Sequence, residues 1–311
     1  MIWKRKRLGL ALGGGGARGI AHVGVLRVFE EESIPVDLIV GTSIGALVGA
    51  AYAIGENTHE MEKKIEEFLN SPTFQESALK DIKEIQDTRK SGFAGKIHAF
   101  FRNRLLLAQS LFRLGMLGSE EFEAMIDFFV PDIQIQDTQI PYRAVATDLV
   151  SGQSVVMSEG PLRRAVMASC AVPGAVPPVE VNGMLLSDGG SINIVPTMVA
   201  REEGADFVVA VSVRGDIHAD DEFGSAADIC FRAADIMGFH FETYILDKAD
   251  FVIHPRVGDL HWTEFALARD LVREGEKAAR EKLHLLRKTL PLSIRWVLLS
   301  SLQKSFTKNN W

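Results

Sequence analysis

The residues with the clearest chemical potential are Gly41-Thr42-Ser43-Ile44-Gly45, a G-x-S-x-G pattern between a strand-like run and a helical one. A serine on so tight a turn presents its hydroxyl at the start of a helix. There, backbone N–H groups and the helix dipole favour developing negative charge. Side chains at Gly41 or Gly45 would collide with neighbouring backbone, so small residues are required. The chemistry that fits is nucleophilic attack, although an ordinary glycine-containing βα turn has the same letters. A second loop, Gly13-Gly14-Gly15-Gly16-Ala17-Arg18-Gly19, satisfies G-x-G-x-x-G at Gly14, Gly16 and Gly19. As a dinucleotide site it needs an acid closing the second strand, whereas Asp37 opens that strand. As a phosphate loop it needs lysine where Ile20 stands. A third reading accommodates both motifs: the N–H groups of Gly14, Gly15 and Gly16 form an oxyanion hole facing Ser43.

A serine nucleophile needs a base. Eight histidines are available, none in a diagnostic context, and His22 on the first helix reads as a packed residue. Asp188-Gly189-Gly190 is the better candidate, because it follows a hairpin strand and its glycines leave the carboxylate accessible; a plain Asp-Gly turn is the alternative. Cys170 and Cys230 are the only cysteines, too few for a disulfide framework or a cysteine-rich zinc site.

The elements that must position these groups alternate β and α. Strands are expected at Leu8 to Leu12, Val36 to Val40, Tyr142 to Thr147, Gln153 to Met157 and Phe207 to Val213. Val179 to Val181 and Met184 to Leu186 flank Asn182-Gly183, a two-residue hairpin signal. Helices are expected at Ala17 to Glu31 and Ile44 to Ile54. A helical insertion follows over about 58–130: Met61 to Asn70, a stretch around Ile97 to Gly115, and Ser119 to Val130, with Ser119 as N-cap.

With 311 residues, 47% of them hydrophobic and 24% charged, the chain is globular, and no linker composition divides it. A net charge of -7 argues against a nucleic-acid partner. Lys4 to Arg7 lead straight into glycines rather than a signal-peptide core. The charge-free run Ile39 to Gly55 is short and glycine-rich for a membrane span, so a cytoplasmic location is expected.

Taken in order, Gly14 to Gly19, Gly41 to Gly45 and Asp188 to Gly190 resemble the oxyanion loop, nucleophile elbow and aspartate motif of the patatin-like phospholipase family, in its bacterial, neuropathy-target-esterase-like branch. Ala146-Thr147-Asp148 and the run Ala168 to Pro178 are similar to further segments of that family, so the resemblance covers residues 8 to 255. Gly190 departs from the alanine of many relatives, a small change between small residues. The resemblance implies an α/β fold of three layers, α/β/α, with a mostly parallel central sheet, in one domain over 1–281. It implies a lipid acyl hydrolase (phospholipase, lysophospholipase or carboxylic ester hydrolase) with Ser43 as nucleophile, Asp188 as general base and neither histidine, metal nor cofactor. Arg18, Gly19, Gly41, Gly45, Gly189 and Gly190 support the motifs, Arg18 bracing the loop or facing an anionic head group; Asp148 is structural. A non-catalytic scaffold on the same fold and a nucleotide-binding oxidoreductase are the competing classes.

Two segments bear on lipid access. Phe100 to Leu114 interleaves apolar residues with Arg102, Arg104 and Arg113, the pattern of an amphipathic lid or of a helix packed on the core. The tail, 282–311, carries six basic residues and no acidic one. Leu292, Trp296, Leu299 and Phe306 recur there at helical spacing, which fits peripheral contact with an anionic membrane, such as its inner face, or an oligomer contact.

Overall fold

A computed structural model describes residues 5–75, 118–215, 217, 219, 223–224, 226–257, 260, 264–296 and 298. The segment around Phe100 to Leu114, and Leu299 to Trp311, lie outside the described residues. The strands are β1 (Leu8–Leu12), β2 (Leu38–Thr42), β3 (Tyr142–Asp148), β4 (Ser154–Met157), β5 (Val179–Val181), β6 (Met184–Asp188), β7 (Phe207–Val211) and β8 (Phe251–Ile253). The helices are α1 (Ala21–Glu31), α2 (Ile44–Ala53), α3 (Thr58–Asn70), α4 (Pro72–Gln75), α5 (Ser119–Phe129), α6 (Leu162–Cys170), α7 (Gly190–Asn193), α8 (Thr197–Glu202), α9 (Ala226–Leu246) and α10 (Ala268–Thr289). The strands form one sheet in the order β5-β6-β3-β2-β1-β7-β8, with β4 also paired to β3.

The run from β3 through β2, β1 and β7 to β8 is parallel, as buried apolar strands joined by helices require. The β4, β5 and β6 pairings are antiparallel. Side chains alternate between two cores. Leu8, Leu10, Leu12 and Ile39 pack under α1, α2, α6 and α10, whereas Ala11, Leu38, Val40 and Val208 pack against Val199, Ala200 and Ile245 of α8 and α9. These are the three layers.

One detail of pairing decides where the chemistry sits. Val145 pairs with Thr42 of β2 and Val156 of β4, so β2 and β4 lie on opposite edges of β3. Ala146 pairs with Val155 of β4 and Asp188 of β6, so β6 also lies opposite β4. β2 and β6 therefore share one edge of β3 and meet end to end, β2 arriving parallel and β6 antiparallel. Ser43, the next residue after Thr42, and Asp188 converge at Ala146.

Local departures from the sequence pattern have physical causes. Residues 16–20 form a 3-10 turn, and α1 begins only at Ala21, because Gly16 takes a positive φ of 58° and Gly19 packs on Ile44. β2 starts at Leu38, since Asp37 turns its carboxylate onto the Leu8 N–H. Gly118, not Ser119, is the N-cap of α5, and Glu121 accepts from its N–H. Asn182 and Gly183 take positive φ of 50° and 81°, the hairpin geometry expected.

The 281/282 boundary read from charge falls inside α10, which is continuous. Leu286, Leu290, Ile294 and Leu298 are buried beyond it. α10 lies so close to α1 that a β-carbon at Gly24 would run into the Val272 carbonyl and one at Gly275 into the Ala21 carbonyl. Among the described residues no helix is long and apolar enough to cross a membrane.

Candidate active site

Ser43 alone separates β2 from α2, and the reversal forces it to φ 56° and ψ −130°, a conformation that costs of order 1–3 kcal/mol for a residue with a side chain. Several groups hold it there. Its N–H donates to Ser169 Oγ (3.0 Å), which itself donates to the Val145 carbonyl (2.6 Å). Its carbonyl accepts from Ala46 N (2.8 Å) and Cys170 Sγ (3.1 Å). Gly41 and Gly45 are indispensable: a β-carbon on either would strike backbone, at Gly45 and Ala46 in the first case and Leu12 and Gly13 in the second. The Ser43 side chain stands at the N-terminus of α2, 7% exposed.

Asp188 ends β6 with its own N–H bonded to the Ala171 carbonyl (2.9 Å) and its Oδ1 accepting from Gly190 N (2.7 Å). A β-carbon at Gly189 would collide with the Val145 carbonyl, so glycine permits the chain leaving β6 to pass close against β3 directly after the acid. Burial pushes the carboxyl pKa up to about 6, against the opposing pull of the Ser43 hydroxyl and the Gly190 N–H. The acid thus faces the serine.

The glycine loop is braced from behind. Gly13 N–H donates to Val211 O (3.0 Å) and Gly14 N–H to Ile194 O (2.8 Å). His22 Nε2 bonds the Gly13 carbonyl (2.8 Å), and Arg18 Nε donates to the Gly15 carbonyl (3.2 Å). Because C=O and N–H of a trans peptide point opposite ways, Arg18 turns the Gly16 N–H to the other side of the loop. Among the described residues the N–H groups of Gly15 and Gly16 have no acceptor. The structure narrows the expectation for Gly14: its N–H is committed to Ile194, and its open α-carbon instead leaves room beside Ser43 Cβ.

Behind Arg18, Ser212 Oγ bonds Glu242 Oε1 (2.5 Å) and His254 Nδ1 (3.1 Å). Burial lowers the Arg18 pKa, Arg214 adds to that effect, and Glu242 opposes it. Asp148 is structural here: it accepts from Val150 N, Ser151 N, Ser151 Oγ and Leu185 N. Asp37 sits where β2 begins, bound by Arg5 and Leu8 N, at the end of the strand away from the glycine loop. It cannot serve a dinucleotide on that loop.

From Ser43 a cavity of about 140 Å³ runs between α1, α2, α3 and α5. Val23, Leu47, Met61, Ile65, Phe122, Met125 and Val176 line it, and Gly16, Ser43 and Cys170 lie on its wall. Phe68, packed on Phe129 at 5.0 Å between ring centroids, is also part of the lining. A nearly all-apolar cavity beside a polar corner suits a substrate with a long hydrocarbon part and one reactive group.

Sequence reasoning missed Ser169, Cys170 and Ile194, which act on the site through backbone contacts, and underrated His22. Only the closeness of Ser169 and Cys170 to the aspartate motif pointed toward the first two.

Fold and site together define an α/β protein with a serine elbow set against an aspartate. The family described as patatin-like phospholipase matches residues 10–201. An NTE family protein of Mycobacterium tuberculosis is 35% identical over 222 residues, covering 71% of this chain and 52% of that protein. Human patatin-like phospholipase domain-containing protein 6 is 35% identical over 208 residues, 66% of this chain and 13% of that one. VipD from Legionella pneumophila aligns over 90% of this chain and 67% of its own, with TM-score 0.49 and 15% identity. The chain thus spans about half, or much less, of the length of these curated relatives. It belongs to the patatin-like phospholipase family, in the branch that includes the NTE proteins.

Two buried titrating groups act oppositely on stability. His22, wholly buried, has its pKa lowered to about 4 by burial, so stability falls as pH drops from 6.5, where the unfolded chain takes up the proton first. Asp188 has its pKa raised, so the folded state takes the proton first and gains stability as pH falls through 6. Each amounts to ~3 kcal/mol at 1.36 kcal/mol per pKa unit. Asp188→Asn removes the compensating gain. Urea unfolding at pH 7 and pH 4 is expected to show a loss ~3 kcal/mol larger in the variant than in the wild type; equal losses would place Asp188 in a solvated site.

Proposed function

We propose that the chain is a serine lipid acyl hydrolase acting on carboxylic esters of fatty acids, phospholipids and lysophospholipids among them. The observation that carries this reading is the placement of Ser43 opposite a buried Asp188 at the head of an apolar cavity. Asp188 takes the proton from Ser43 Oγ as the oxygen attacks the ester carbonyl. The N–H groups of Gly15 and Gly16, with the N-terminus of α2, receive the charge of the tetrahedral oxyanion. On collapse the proton passes to the departing alcohol. Water then attacks the acyl-serine, giving a proton to Asp188, and on collapse Asp188 returns that proton to the departing Ser43 oxygen as the fatty acid is released. A pKa near 6 makes Asp188 a stronger base than an exposed aspartate while leaving it mostly ionised at pH 7. Among the described residues no histidine stands in the site as its partner: His22 is committed to Gly13 and held neutral.

With a p-nitrophenyl butyrate and a lysophospholipid assay, Ser43→Ala is expected to lose at least 10³-fold in kcat/KM and Asp188→Asn at least 10²-fold. The wild-type profile should rise with pH and level off above an apparent pKa of about 6. Full activity in folded Ser43→Ala would overturn the reading.

The location follows as part of the same proposal: cytoplasmic, with peripheral contact to the inner face of the membrane. Leu292 and Trp296 are 67% and 76% exposed, and Lys288 and Arg295 lie close to them in sequence, which supports that contact, whereas Arg287 is ion-paired with Glu32. Deleting the tail would also remove buried Leu286 and Ile294, so the test is Leu292→Ser with Trp296→Ala. Sedimentation with anionic vesicles is expected to fall several-fold; unchanged sedimentation would exclude this surface.

A further inference from the structure

α9 turns an uncharged face outward, where an ordinary surface helix carries its charges. Ala226, Cys230, Ala233, Met237, His240 and Tyr244 follow one another at steps of four and three residues, and all six are exposed. Ile229, Ile236 and Phe241 flank this seam and are exposed as well, while Met237 is 72% and Tyr244 61% exposed. The charged residues of α9 are Asp228, Arg232, Asp235 and Glu242. At about 100° per residue, each lies roughly 120° or more round the helix from the middle of the seam. Glu242 accepts from Ser212 Oγ, Asp235 and Glu242 stand 3.7 and 3.8 Å from Arg214, and Asp228 accepts from Gly224 N. Among the described side chains of α9, only Glu242 and Ile245 are buried.

We propose that the outward face of α9 is a dimer interface, covered by α9 of a second copy that runs antiparallel about a twofold axis near Met237. Steps of four and three are those of helices that pair along a seam. The first half of this seam is small (Ala226, Cys230, Ala233) and the second large (Met237, His240, Tyr244). Antiparallel pairing therefore sets Cys230 against Tyr244 and Ala233 against Phe241, small on large in both halves, as a self-complementary twofold contact needs. Parallel pairing would stack large on large and leave the small half loosely packed. The area is also sufficient. Ile229, Ile236, Met237, Phe241 and Tyr244 together expose roughly 500 Å², taking about 200 Å² for each when free. The exposed smaller residues, with Ala234 and Thr243 among them, bring the face near the roughly 800 Å² that one partner contributes to a stable interface. A lipid surface suits this face less well: helices lying on anionic membranes carry Lys and Arg beside their apolar side, whereas α9 carries three acids and one arginine.

The test is the mass of the full chain by sedimentation equilibrium at micromolar concentration, with oxidative cross-linking as a second readout. Wild type is expected at twice the monomer mass. Met237→Glu with Phe241→Glu is expected at the monomer mass, its dissociation constant raised at least ~10²-fold by charges buried without partners. Both positions are exposed, so the variant should fold, which circular dichroism checks. Cross-linking uses Cys230, which is exposed, whereas Cys170 is buried. Antiparallel copies hold their two Cys230 residues about 21 Å apart at 1.5 Å per residue, out of disulfide reach. Oxidised wild type should therefore stay unlinked, while Tyr244→Cys becomes joined to Cys230 of the partner subunit and Met237→Cys to its own counterpart. A monomeric wild type, a dimer that survives both glutamates, or a Cys230–Cys230 bond in wild type would overturn the proposal. So would a monomer whose binding to anionic vesicles the glutamates abolish, which would assign the face to a membrane. Neither readout involves hydrolysis, so the result stands apart from the role given to Ser43.

Discussion

β3 receives two strands on one edge, and the structure of the site depends on that arrangement. β2 covers the first part of the edge and β6 the last, so their ends meet at Ala146. An antiparallel strand delivers its C-terminal residue where a parallel one also terminates. Ser43 and Asp188, far apart in sequence, are thereby set against each other by backbone pairing in the core of the sheet rather than by mobile loops. The glycines follow from the same geometry. Gly41, Gly45 and Gly189 stand where backbone approaches backbone so closely that no β-carbon fits.

Burial is the second theme. The polar groups of the site sit in low dielectric, where unsatisfied atoms are expensive and fixed dipoles are strong. Most are answered by backbone: Ser169 by Val145, Thr42 by Asn193, Ser187 by Ala171. Asp188 is left with one N–H and the serine hydroxyl, too little to stabilise a buried carboxylate fully, hence its raised pKa. His22 takes the opposite role, remaining neutral so that it can brace Gly13. Burial of the Asp188 carboxylate therefore costs the chain stability at neutral pH.

Much of this was legible in the residues. Alternating apolar runs marked β1, β3 and β7, the Asn182-Gly183 pair marked its hairpin, and three glycine-bearing motifs marked the site. What was not legible depends on partners remote in sequence. Nothing near Asp188 states that β6 joins the edge already used by β2. Gly14 looks equivalent to Gly15 and Gly16, yet Ile194 takes its N–H. The change of charge at residue 282 looks like a boundary, but the buried face of α10, through Leu271, Val272, Ala279 and Leu286, runs across it. Charge describes the solvent side of a helix, and packing is decided on the other.

The central claim is that Ser43 is the nucleophile and Asp188 its base. The most direct test is covalent capture: react the protein with a fluorophosphonate, locate the adduct by peptide mass spectrometry, and follow the labelling rate with pH. The account predicts a single adduct on Ser43, forming faster as pH rises through about 6 and strongly slowed in Asp188→Asn. An adduct on another residue, or labelling of Ser43 that ignores both pH and Asp188, would contradict it.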